Sequence, residues 1–155
     1  MMPLVEVSVL IGAGTLLADE WAHRDELAAR RFRELSPATV TSELDMYRNL
    51  RWHRVGFRQR LETTTLAAGL VLAATHSWLA FGVSWVLLAS VVSLVFDISF
   101  NIRIGLPWWY AGTTAWTDQW LNRWGLDRKI EGGKVAAAVE LLAVLGSAAA
   151  WILLF

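Results

Sequence analysis

The chain contains no cysteine, so disulfides, thiolate metal sites and cysteine nucleophiles are excluded. It has no His-Glu-x-x-His, no repeated histidine box, no nucleophile elbow and no phosphate-binding glycine loop. Net charge is zero at neutral pH, which does not suggest a nucleic-acid binder. The most telling absence is local. Residues 3–18, 64–102 and 135–155 carry no Lys or Arg at all.

All fourteen basic residues lie in two segments, 19–62 and 103–134. The nine Arg of the first segment sit among eight acidic residues, which further disfavours a nucleic-acid site. The sequence is 55% hydrophobic, with a mean hydropathy of +0.42, and its charge is clustered rather than spread over a surface. Lys and Arg are retained on the cytoplasmic side of a membrane. The pattern therefore predicts four spans at about 3–21, 63–81, 84–102 and 134–155. Segments 22–62 and 103–133 would then be cytoplasmic, and both termini would lie outside a bacterial inner membrane. Met1-Met2-Pro3-Leu4-Val5-Glu6 lacks the positive start of a signal peptide, so the first apolar stretch reads as a retained helix.

The expected fold class is all-α: an integral membrane four-helix bundle with cytoplasmic helical extensions and a Trp-rich interfacial helix. The first span is short for a bilayer core of about 30 Å at ~1.5 Å per residue. Its helical pattern continues through Phe32 and is expected to stop near Ser36-Pro37, because the residue before proline avoids helical geometry. Ser42, with Asp45 three residues on, marks the next helix start. Arg48, Arg51, Arg54, Arg58 and Arg60 then suit either anionic lipid headgroups or a solvated face. Residues 64–102 are too long for one crossing, and Ala80-Phe81-Gly82-Val83-Ser84 is the expected turn. Trp116, Trp120 and Trp124 recur every four residues and predict one stripe, lying either in the inner headgroup layer or against the first cytoplasmic helix. Small residues at Gly69 and Ala73, at Ala136 to Ala138, and at Gly146 and Ala150 would let helices approach closely in lipid. They fit a compact bundle and an oligomer equally well. Gly12-Ala13-Gly14 reads as helix packing.

Ionisable groups in lipid are costly and invite functional hypotheses. Glu6 and His76 both fall near the outer face, where they either pair or each reach headgroups. Asp97 and Glu140 both fall about six residues inside the inner boundary. With Asn101 and Glu62 they make an expected polar cluster. Two carboxylates and an amide suit a hard divalent cation, and neighbouring carboxylates also suit a proton. The structural alternative is ion pairing with Arg58, Arg60 or Arg103. Glu20-Trp21-Ala22-His23 has the Glu-x-x-His spacing of four-helix carboxylate metal sites, but the required second copy is absent. His23 and His53 together would make at most one site.

Phe96-Asp97-x-x-x-Asn101, then Gly105-x-Pro107-Trp108-x-Tyr110-x-Gly112-x-Thr114-Ala115-x-x-Asp118, with Trp52-His53 upstream, resembles a pattern in small uncharacterised integral membrane proteins of Bacteroidota and their phages or mobile elements. The likeness covers roughly residues 50–120. It carries no activity over, but it implies that His53, Asp97, Asn101 and Asp118 act together at the inner boundary, as a metal site would.

Three functions follow as expectations. The first is a non-catalytic membrane component, oligomeric or accessory to a membrane-protein partner, of phage or mobile-element type. The second is an ion- or proton-handling protein that uses Asp97, Asn101, Glu140 and Glu62. The third is a membrane-embedded metalloenzyme built on His53, Asp97 and Asp118. The missing catalytic signatures favour the first over an enzyme.

Overall fold

The computed structural model describes residues 2–35, 42–103, 105–110, 123 and 132–155, without the side chains of 2–3, 28–35 and 42–57. Among the described residues the chain is all-helical. Its four helices are α1 (Met2–Leu35), α2 (Ser42–Thr75), α3 (Trp78–Arg103) and α4 (Gly132–Leu154).

Helix α1 ends two residues before Pro37, and α2 starts at Ser42, as the proline and the Ser-x-x-Asp signal predict. Helices α3 and α4 are each long and apolar enough to cross a membrane. At ~1.5 Å per residue they measure about 39 and 35 Å, against a bilayer core of ~30 Å.

The turn between α2 and α3 lies at His76-Ser77, and the expectation of a break at Ala80 to Ser84 is corrected. Thr75, His76 and Ser77 build the turn from polar groups. His76 takes a left-handed backbone (φ 52°), and its N–H donates to the Leu72 carbonyl at 2.8 Å. Ser77 caps α3 by accepting from the Ala80 N–H at 3.2 Å. Gly82, which suggested the break, sits inside α3 with open space beside it. Ser84 is fully buried, and its hydroxyl donates to the Phe81 carbonyl at 3.0 Å. An apolar segment keeps its backbone bonds inside the helix, so a lone glycine there does not end it.

Helix α3 is central. It packs on α1, α2 and α4; α1 and α4 touch each other, and among the described residues α2 packs on α3 alone. Helix α1 runs parallel to α3, while α2 and α4 run antiparallel. At the end bearing the His76 turn, Val7, Ala80, Leu87, Val91 and Trp151 form one apolar cluster. Toward the other end Ala18, Ala22, Val92 and Phe96 form a second. The contact face of α1 is a row at four-residue spacing: Gly14, Ala18, Ala22 and Glu26, all buried. Gly14 is the closest point, where an added Cβ would stand 2.9 Å from Val91 Cγ1. The small side chains let α1 and α3 approach closely. Gly69 and Gly146, by contrast, have no atom within 4 Å of an added Cβ among the described residues.

Candidate functional site: a polar zone at one end of the bundle

The residues expected to cluster are divided among three environments. Asp97 lies on an exposed face of α3, one helical turn beyond Ser93. Glu140, on α4, accepts a hydrogen bond from Ser93 Oγ at 2.6 Å. Arg60, from α2, stacks its guanidinium 3.9 Å from the centroid of the Phe96 ring. It is within electrostatic reach of Asp97, Asp25 and Glu140. Asp97 and Glu140 therefore lie in the field of one arginine.

Asn101 is buried and acts locally. Its Nδ2 donates to the carbonyls of Trp108 at 3.3 Å and Tyr110 at 2.9 Å. This ties the segment after α3 back onto the helix. Gly105 makes that return possible with φ 81°, and its N–H bonds the Ile102 carbonyl while that of Leu106 bonds the Asn101 carbonyl. This pair of bonds is a Schellman closure with glycine at the left-handed position. Both amide hydrogens of Asn101 are engaged there, so its Nδ2 holds the turn.

Glu62 stands apart. It is exposed and accepts from Arg58 Nε at 2.6 Å, one helical turn away. The carboxylate holds the Arg58 guanidinium above its ordinary pKa, through that hydrogen bond first and its charge second.

A second polar group joins α1 to α3. Arg103 Nη2 donates to Asp19 Oδ1 at 2.8 Å, and its Nη1 lies 3.6 Å from Glu26 Oε2. His23 Nδ1 is 3.5 Å from the same Glu26 oxygen. His23 thus meets Glu26, the next turn of its own helix, beyond the Glu20-x-x-His23 motif. Sequence inspection missed this linkage. The signal available was that Asp19 is the first charge after the apolar stretch of α1 and Arg103 the first basic residue after that of α3.

At the opposite end Glu6 accepts from Trp151 Nε1 at 3.2 Å, while His76 is an exposed turn residue. Trp85 Nε1 donates to Thr65 Oγ1 at 3.0 Å and fixes α2 on α3.

Among the described residues no group of three or more His, Asp or Glu side chains is placed to hold a metal ion. The His53 side chain, Asp118 and the stripe Trp116, Trp120 and Trp124 lie outside the described residues. No family model, no curated protein and no solved structure matches the chain.

Proposed function

We propose that the protein is a non-catalytic, multi-pass component of a bacterial cytoplasmic membrane, working as an oligomer or as an accessory to a membrane-protein partner. The observation that carries this reading is the distribution of polar and apolar surface. The outward faces of the helices are apolar: Leu16, Leu66, Leu70, Leu79, Leu142, Leu145 and Leu153 are all well exposed. Water would penalise such a surface and acyl chains would not. The polar side chains of the apolar stretches instead meet partners within the chain, as Glu140 meets Ser93 and Glu6 meets Trp151. A site evolved to take an exogenous ion would leave donors turned toward that ion.

Helices α1 and α2 carry apolar stretches shorter than those of α3 and α4, yet they lie alongside α3. A bilayer that holds α3 would hold them too, and this supports four crossings. The small residues Gly69 and Gly146, open on their Cβ side among the described residues, suit contact with a second copy or another membrane helix. A phage or mobile-element origin remains part of the proposal on the strength of the resemblance around Asp97 to Asp118.

The test is mass measurement of the protein in lipid nanodiscs, together with reporter fusions at the N-terminus. A defined oligomer and an external N-terminus are expected. A strict monomer, or a cytoplasmic N-terminus, would count against the proposal. The ion- or proton-handling reading rests on Asp97 and Glu140, of the expected set Asp97, Asn101, Glu140 and Glu62. It predicts that Asp97→Asn abolishes flux in liposomes while the protein stays folded.

A further inference from the structure

We propose that the turn Pro107–Tyr110 and Lys134 form a ledge that binds the phosphate of an anionic phospholipid headgroup. The proposal rests on the membrane reading above and assigns its lipid-contacting site. The ledge stands where the apolar run of α3 ends and that of α4 begins, so both helices would leave the acyl region at this level. Trp108 and Tyr110 are 45% and 41% exposed. Trp109 stands edge-on to Trp108, with centroids 5.2 Å apart.

Lys134, exposed in the first turn of α4, holds its ammonium 4.9 Å from the centre of the Trp109 ring. The ammonium therefore rests over an aromatic face at the start of the apolar run of α4. Indole N–H groups donate only, an ammonium donates only, and a phenol can donate. Such a set of donors and positive charge is complementary to a phosphate. Aromatic rings with a polar edge also settle at the headgroup level of a bilayer.

The ledge is rigid by construction. Buried Asn101 clamps the Trp108 and Tyr110 carbonyls, the Tyr110 N–H donates to the Pro107 carbonyl at 2.9 Å, and the Gly105 closure anchors the turn to α3. A preformed turn loses little freedom when lipid binds. A free-running loop of the same composition would lose far more.

Because the chain has no cysteine, single cysteines can be introduced without background. Tyr110→Cys and Leu142→Cys would each be spin-labelled in nanodiscs of phosphatidylcholine with phosphatidylglycerol, and label depth measured by oxygen and nickel-chelate accessibility. The Leu142 label is expected deep in the acyl region and the Tyr110 label at phosphate depth. A Tyr110 label in bulk water beside a deep Leu142 label would overturn the ledge alone. Both labels in water would overturn the membrane reading and the ledge with it.

The second arm measures the association of spin-labelled phosphatidylglycerol relative to phosphatidylcholine. Lys134→Gln is expected to lower that preference about fivefold, the factor matching ~1 kcal/mol per basic residue at an anionic surface. Lys134→Arg is expected to restore most of it. An unchanged preference in Lys134→Gln would overturn the phosphate contact.

Discussion

At the end that carries the His76 turn, α1, α3 and α4 meet through Val7, Ala80, Leu87 and Trp151. At the other end α1 and α3 are tied by Asp19, Glu26 and Arg103, and α2 reaches α3 through Arg60 on Phe96. The first contact depends on shape and the second on charge. In lipid the acyl chains are as apolar as leucine, so helices gain little from hiding apolar surface and associate through fit and hydrogen bonds. On the proposed membrane reading, the apolar end would therefore need to be well fitted to hold at all. The polar end could be loose, because its groups would also be served by headgroups and water. Volume changes should hurt at one end and charge changes at the other, with the first larger.

Leu87→Ala should have the largest effect. Leu87 is fully buried in the apolar cluster, and truncation leaves a cavity that costs about 2–4 kcal/mol. Titration with a denaturing detergent, followed by far-UV circular dichroism, would read this as an early midpoint. Wild-type stability for this variant would mean that the end is not tightly packed. Gly14→Val comes next, at about 1–3 kcal/mol for overpacking. Its new Cβ meets Val91 at 2.9 Å, and Val91 is a stiff β-branched residue that cannot swing aside. Gly146→Val is the control: the same change in open space should leave monomer stability nearly unaltered. It would disrupt an oligomer only if that face is used between copies.

These contrasts also mark what was legible in the sequence. Helix ends at Leu35 and Ser42 follow from Pro37 and from a capping pattern, both short-range effects. Gly82 offers a break inside the pattern of α3, whereas the α2–α3 turn is written in the three polar residues Thr75, His76 and Ser77. Partners across helices were harder. The Ser93–Glu140 bond joins residues 47 apart, and no local spacing announces which face of α4 meets which face of α3. Asn101 illustrates the same limit. Its position beside Asp97 suggested a shared site, yet its amide turns to the backbone of Trp108 and Tyr110. That bond depends on Gly105 reversing the chain, a glycine whose role is visible only once the turn is traced.

At the polar end Arg103→Gln should cost less than either packing change. Its bond to Asp19 is short, but Asp19 is half exposed, and exposed pairs contribute only about 0–1 kcal/mol. The buried Glu26 carboxylate also loses the Arg103 guanidinium 3.6 Å away, which places the effect toward the upper part of that range. Salt should shrink the difference between Arg103→Gln and wild type, because screening already weakens the wild-type pair. A loss as large as that of Leu87→Ala would make charge, not fit, the main fastening of α1.

The smallest effect is expected at Glu62→Gln. The Arg58–Glu62 pair has good geometry at 2.6 Å, and distance alone would rank it above the Arg103–Asp19 bond. Both its members lie on one helix and in solvent, however, so it restrains nothing beyond the local turn of α2. Detergent-unfolding midpoints for Glu62→Gln and wild type should coincide at physiological salt. A clear loss would mean that Glu62 contacts something besides Arg58 and would return it to the carboxylate cluster. Coincident midpoints, beside a measurable loss in Arg103→Gln, would separate pairs that join two helices from pairs that decorate one.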